Sequence, residues 1–582
     1  MSKKSKNNSL ITLNIGITGH RDIRHADREI LKQLLIDFIK KKQNQCSNTP
    51  IVLLTPLAEG ADQIAALAAI DCKIDFNAVL PMPVEEYKRD FVSAESLREF
   101  ESLLAKASLV IELPLQEGTT IKNVNSPVRR NEQYYQNGLF LARHCHTLIA
   151  LWDGINNNKK GGTADVVKLK KSGIPGKFED KSKRLHYLQT GPIYHIVTPR
   201  KSNPVIDQPL PKPISYPTHY GEDLASSVKH DEEIHKRIDS FNKDFTKKWP
   251  DLQKIVKESA GELFANHPDL ANDKALHNIA EKYAIAGELS NIFQKKRFRA
   301  LQGLLFLVVL AFFFLHSNAE FFHEPLILLL YPLTMGIGAI WFFIARRKHY
   351  EYKHEDYRAL SEAYRIQFFL KACGKNDNVS DHYLKRHRGE LEWVLYTLRT
   401  SLLNDWESEN KPVKLDITMR AFIFLKTNWV NHQLEYFNRK TIEHNNSSKN
   451  WSSLANYSFI IAILSACLLF LISYYKELLP ENIRLFEEII RSTLSCCTSV
   501  FLVLAAALHG YSDKMIFAEQ AKNYHQMAQL FQLASDKLNH AIETNDVIEA
   551  NDIIGELAQE ALLENGDWLL LHRSRPLEIP KG

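Results

Sequence analysis

The sequence predicts two fold classes in one chain: an α/β, doubly wound parallel-sheet domain first, then an all-α membrane region with four transmembrane helices in two hairpins. Three observations carry that prediction. Up to about residue 200, short runs rich in Ile, Val and Leu alternate with amphipathic segments of helix length, the pattern of a parallel sheet with helical crossovers. Four charge-free stretches, 300–319, 325–345, 450–475 and 492–512, each lie near the ~20 residues that cross a hydrocarbon layer. The 582-residue chain as a whole is nevertheless 45% hydrophobic and 24% charged, an average soluble composition that excludes a mostly intramembrane transporter.

In the first region, residues 11–20 (ITLNIGITGH) read as a strand ending in a glycine turn. A helix follows over 27–42, with Ile30, Leu31, Leu34, Leu35 and Phe38 on one face. The strand 51–55 leads through PLAEG (56–60) into a helix over 61–70. Next come a strand at 76–80, a helix at 96–107, a strand at 109–112, a helix at 132–143 and a strand at 147–152. Doubly wound sheets take ligands at the carboxyl ends of their strands, so the turns there hold the functional information.

Three of those turns have glycines where main-chain amides can approach an anion. Gly16, Thr18, Gly19, His20 and Arg21 close the first strand, and Arg21 supplies a guanidinium for charge neutralisation. Glu59, Gly60 and Asp62 open the second helix, and Asp153 and Gly154 end a later strand. Gly161, Gly162, Thr163 and Asp165 then begin a further helix whose first amides are free for a phosphate. A single glycine turn is weak evidence; three at strand ends of one sheet point to a shared ligand crevice.

Other patterns favour plainer readings. Lys and Arg exceed Asp and Glu by 73 − 68 = 5, too small a surplus for a nucleic-acid groove. The seven cysteines are scattered, without a C-x-x-C spacing, and suit a reducing cytoplasm. The polar first eight residues lack the apolar core of a targeting peptide. His20-Arg21-Asp22 copies a kinase triplet in the wrong context. His144-Cys145-His146 has no second ligand pair at fixed spacing, so no metal and no cofactor are expected. Glu59, Asp62, Asp153 and Asp165 could serve as paired carboxylates for glycosidic cleavage, but helix caps and ribose contacts explain acids at strand ends equally well, and no catalytic residue is assigned.

In the second region, Lys295, Lys296, Arg297 and Arg299 precede the first span and Arg346, Arg347 and Lys348 follow the second, whereas the loop between holds no Lys or Arg. The positive-inside rule therefore places both ends of this hairpin in the cytoplasm. Lys476, Arg484 and Arg491 make the second hairpin less clear, and the economical topology has both termini cytoplasmic. The hairpins read as a tandem repeat. An aromatic, basic segment precedes each, and an amphipathic helix follows each, with Tyr350, Tyr357, Leu360, Tyr364 and Phe368 in one and Phe517, Ala521, Tyr524, Ala528 and Phe531 in the other. Helices bearing Trp393 and Trp568 end the copies. The proline-rich 201–217 reads as an extended connector and 222–257 as a charged, solvated helical spacer. The expected domains are thus 1–200, 201–280, 281–410 and 411–582.

These elements resemble two known families. The hairpins with their aromatic and Trp-bearing flanks resemble SLATT modules, two-span elements fused to nucleotide-sensing domains in prokaryotic conflict systems. The TGHR turn (Thr18–Arg21), Glu59–Asp62, Leu151–Gly154 and Gly161–Thr163, taken together over about residues 10–200, resemble the Rossmann-like SLOG superfamily, related to the LOG and DprA proteins. The resemblance implies that Gly16, Thr18, Gly19, His20 and Arg21 line one side of a site for a nucleotide or nucleotide derivative, with Gly60 and Asp62 on the next loop and Gly161, Gly162 and Thr163 facing phosphate. LOG-type phosphoribohydrolases carry PGGxGT followed by Glu, whereas here Lys160 precedes the glycine pair and Asp165 falls near that acid, which puts hydrolysis in doubt.

The function expected from these readings is a nucleotide-derivative sensor at the cell inner membrane, multi-pass and self-associating, whose head controls a membrane-perturbing or pore-forming effector in antiviral defence. Its expected partners are a nucleotide-type small molecule, the lipid bilayer and further copies of itself. The alternative is a membrane-tethered nucleotide N-glycosidase.

Overall fold

The structure is a computed structural model that describes residues 9–156, 159–173, 190–217, 223–265, 267, 270, 272–375, 378–381, 388–401, 403, 419–475 and 486–574. It divides into two compact units. Unit 1 comprises Met1–Gly261, Pro268–Lys282 and Ala363–Lys414, and unit 2 comprises Glu262–His267, Tyr283–Glu362 and Leu415–Gly582.

Unit 1 is built on a Rossmann-like sheet of β1 (Leu13–Gly19), β2 (Ile51–Thr55), β3 (Asp75–Leu80), β4 (Leu109–Glu112), β5 (Thr147–Trp152), β6 (Ile193–Val197) and β7 (Leu210–Pro211). Their order is β4-β3-β2-β1-β5-β6-β7. The first six are parallel and β7 is antiparallel to β6. Central strands covered on both faces need continuous apolar runs, and every residue of β2 is buried, as are all but the last of β1 and of β5. Crossover helices Arg28–Gln45, Ala61–Asp71, Ala94–Leu104, Pro127–His144 and Thr163–Ser172 join the strands.

The proline-rich stretch is extended but not free. Ser215 and Ile193 exchange main-chain hydrogen bonds, and the Lys212 amide donates to His195 O, so this segment runs along the sheet edge, where missing proline donors cost nothing. The charged helix also differs from the solvated spacer expected. Helix Leu224–Glu262 buries Ile234, Ile238, Phe241, Phe245, Trp249, Leu252 and Val256. Its Asn242 accepts from the Ile11 amide and donates to Ile11 O, and Asp239 takes bonds from the Asn48 amide and Thr49 hydroxyl. The overall charge of the segment hid a narrow apolar stripe that a helix covering one face of a sheet requires.

Unit 2 is helical. Four helical stretches are long and apolar enough to cross a membrane: Lys274–Phe322, Pro325–Ala372, Met419–Tyr474 and Glu487–Glu543. Only 11–17% of each apolar window is buried within the fold, and Phe306, Phe343, Leu464 and Phe470 are each at least 60% exposed, surface that water would penalise and lipid accepts. In the first hairpin a Cβ on Gly338 would sit 3.9 Å from Leu307, ordinary contact with the neighbouring helix, while Gly336 faces open space. The two copies repeat one aromatic device. Phe293 meets Tyr350 and Tyr357, and Phe437 meets Tyr524 and Phe531. Their tryptophan helices part company: Trp393 packs beside Phe241 in unit 1, whereas Trp568 lies under the Arg358 guanidinium and edge-on to His354 in unit 2. Lys476 and Arg484, in the loop of the second hairpin, lie outside the described residues.

Candidate functional site

The sheet order places the reversal of strand order between the parallel neighbours β1 and β5, since β2, β3 and β4 lie to one side and β6 to the other. The carboxyl ends of these two strands therefore frame the crevice in which such folds take ligands. The residues predicted from sequence are gathered there with one exception. Gly16 lies inside β1, three residues before its end, where a side chain would strike Cys145 Sγ at 2.9 Å. It is a packing glycine and not a lining residue. Thr18 is buried within the strand beside Ala150, one residue short of the tip.

The tip itself is tied in three directions. The His20 amide donates to Leu151 O on β5, and His20 O accepts from the Ala61 amide at the start of the next crossover helix. Gly60 adopts φ +83°, and a Cβ there would lie 2.5 Å from Arg21 O, so only glycine lets the loop after β2 close on the loop after β1. The Asp153 amide donates to His20 Nε2 at 3.1 Å, which also faces Asp153 Oδ1 at 3.1 Å. Asp153 Oδ1 accepts from the Ile155 amide. Arg200, just beyond β6, approaches Asp153 Oδ2 at 3.7 Å and bonds Asp22 at 2.8 Å. Gly154 is exposed and half-buried Glu59 rides on the loop before Gly60.

Arg21 joins this group to a set that sequence patterns did not single out. Its Nη2 donates to the Tyr134 hydroxyl at 3.0 Å and lies 3.9 Å from Asp90. Arg130 holds Asp90 at 2.8 Å and also donates to Glu86 O. The loop that starts the Thr163–Ser172 helix leans on the same element. Gly161 has φ +75°, and its Cβ position falls 2.9 Å from the Tyr134 side chain and 2.8 Å from Asn131 O. The Gly161 amide donates to Asp165, which makes that acid a cap of the loop; Gly162 and Thr163, both half-buried, complete the turn. Tyr134 is thus the shared neighbour of the first and third tips. No motif marks it, and Tyr87, Asp90, Arg130 and Arg200 are equally unmarked; their only sequence signal is position shortly after a strand or early in a crossover helix.

Asp62 is the electrostatic centre. It is 5% exposed, takes a long 3.3 Å bond from the Ala58 amide on Oδ2, and has no partner on Oδ1. Burial pushes its carboxyl up to about 7, against the opposing pull of Arg21. The Tyr87 hydroxyl is fully buried and likewise without a partner. Burial raises it too, and the charges of Arg21, Asp62, Asp90 and Arg130 all act on it. His20 is lowered by burial, which outweighs the attraction of Asp153. The arrangement offers two guanidinium groups suited to phosphate oxygens and, beneath them, a carboxyl and a phenol whose hydrogen-bonding capacity is unspent. No family model, curated protein or solved structure matches the chain.

Proposed function

We propose that this chain is a membrane-bound sensor of a nucleotide-derived molecule, in which ligand capture by the sheet domain biases the state of the four spanning helices. One observation carries the reading: loop tips from β1, β2 and β5 meet around Arg21, with Tyr134 and Arg130 beside it, at the switch point of the sheet. Arginines and main-chain amides bind phosphate, and the unpartnered Asp62 and Tyr87 groups offer a donor and acceptors for ribose or base. Coupling requires only that the ligand bind one state of the helices better than another.

The resemblance to SLOG and SLATT modules supports an effector that perturbs or permeabilises the inner membrane in antiviral defence, with both termini cytoplasmic. Four spans enclose too little for a conduction path within one chain, so the reading includes homo-oligomers. The test is mass spectrometry of small molecules released from the purified full-length protein, followed by thermal shift with a nucleotide panel that includes cyclic dinucleotides and ADP-ribose derivatives. A panel that never moves the melting point, together with an empty extract, removes the input and ends the proposal.

Asp62 also favours a second reading. A buried carboxyl near pH 7 in a strand-end crevice has the profile of a general acid, as N-glycosidic cleavage needs. Release of free base from nucleoside monophosphates or NAD, abolished by Asp62→Asn, separates an enzyme from a sensor.

A further inference from the structure

The amino ends of the central strands of the same sheet hold a second cluster. His146 immediately precedes β5, where its amide donates to Asn14 O. Asp231 and His235 stand one turn apart on the Leu224–Glu262 helix, which packs there. All three are 5–6% exposed, and one donor atom from each lies within 4.8 Å of the other two. His146 Nε2 is 3.2 Å from Asp231 Oδ1, His146 Nδ1 is 3.3 Å from His235 Nε2, and His235 Nδ1 is 3.8 Å from Asp231 Oδ2.

Two imidazoles and a carboxylate, brought together in a buried place from elements far apart in the chain with one donor atom of each close to the other two, form a donor set for a divalent transition ion.

We propose that His146, Asp231 and His235 bind a divalent first-row transition ion, zinc being the best match to two imidazoles and a carboxylate, and that this ion pins the Leu224–Glu262 helix to the amino edge of the sheet. Ligands 2.0–2.2 Å from a tetrahedral ion stand roughly 3.3–3.6 Å apart, so His146 Nε2 and Asp231 Oδ1 at 3.2 Å already stand near that separation, and one His235 nitrogen closes on them by side-chain rotation. A cavity of about 50 Å³ adjoins His146 and Asp231, bordered by Tyr216, Ser227 and Tyr396, with room for a water at the fourth position. Lys42, Lys170 and His230 are the basic groups around the cluster and Glu392 the second acid. Lys170 is committed to Ala142 O and Cys145 O, and His230 to Glu392. Lys42 is 5% exposed, and burial lowers its amine.

The experiment uses the full-length protein in detergent, stripped with a chelator and titrated with Co²⁺ and then Zn²⁺. The expected result is one ion per chain, the visible absorption of tetrahedral cobalt bleached by zinc, and a melting point that rises with zinc. Asp231→Asn and His235→Gln should each weaken binding at least 10-fold, while His25→Gln, at an exposed site, leaves it unchanged. A wild-type titration without cobalt absorption, and with no more bound metal than the H146Q/D231N/H235Q variant holds, overturns the proposal. That reading depends on wild-type protein and stands even if the variants fold poorly.

Discussion

His20 Nε2 accepts a hydrogen bond from the Asp153 main-chain amide, with the Asp153 carboxylate at the same 3.1 Å distance. An acceptor nitrogen carries no proton, so the geometry selects the neutral Nδ1–H tautomer and makes His20 a clasp between the ends of β1 and β5. Protonation would exchange the amide for the carboxylate and strain the clasp. Burial lowers the His20 value, and the Arg200 charge adds to that against the pull of Asp153.

The clasp contributes stability that is complete above the unfolded-state value near 6.5 and is lost as pH falls through the lower folded value. The melting point of the full-length protein should therefore drop on acidification below about pH 6.5, and His20→Ala should flatten that drop. The substitution itself strands the Asp153 amide and should cost about 1–2 kcal/mol at neutral pH. Calorimetry across the pH series checks both.

Asp62 works in the opposite sense. Its folded value, about 7, exceeds the ordinary carboxyl value of 3.8, so its favourable contribution is full below the lower figure and is lost as pH rises through the upper one. Asp62→Asn keeps the shape without the titration and should stabilise the protein at pH 8 by about 1–3 kcal/mol. It should also remove the difference in stability between pH 4 and pH 8 that this carboxyl causes. Denaturant melts of wild type and variant at those two pH values measure it.

Two glycines in the crevice should respond differently to alanine. Gly60→Ala combines a left-handed backbone with a 2.5 Å clash against Arg21 O and should cost 2 kcal/mol or more, roughly. Gly162→Ala has ordinary φ and its nearest approach is Lys159 O at 3.1 Å, so it should cost about 1 kcal/mol or less. Melting points of the two variants side by side decide the ranking.

In unit 2, Arg297 lies 2.8 Å from Glu351 and 3.7 Å from Glu355, a carboxyl with no exposed surface that Arg573 also approaches. Arg297→Ala leaves buried acids under-compensated and should destabilise by about 3–5 kcal/mol. Glu355→Gln in the same chain should recover part of the loss. A double-mutant cycle in detergent quantifies the coupling.

Cys467 is exposed in the apolar part of Met419–Tyr474, whereas Cys46, Cys72, Cys145, Cys373 and Cys496 are buried. In intact membranes a charged maleimide should fail to label Cys467, because the thiol faces lipid, and detergent solubilisation or denaturation should expose it. Mass spectrometry of labelled peptides tests this, and rapid labelling before solubilisation would contradict a membrane span.

Strand and helix periodicity, the four apolar spans and the three glycine tips were all readable along the chain. They are local properties: a side chain's preference for water, apolar core or lipid repeats every 2 or 3.6 residues whatever the fold. Parallel strands also put every following loop on one edge, so the shared address of Arg21, Asp62 and Asp153 followed from connectivity. Gly16 was misplaced because a glycine that admits a neighbouring cysteine and a glycine that admits a ligand look alike in sequence.

What the tertiary structure alone decided is which distant residues meet. Tyr134 comes to Arg21 from a crossover helix that also carries Arg130, Asp90 from a short 3-10 helix, and Arg200 reaches Asp153 from beyond β6. His146 finds Asp231 and His235 only because a helix read as solvated spacer carries one apolar stripe that docks it on the sheet. Strand order and helix docking are set by the summed burial of many side chains, and no single stretch of sequence carries that sum.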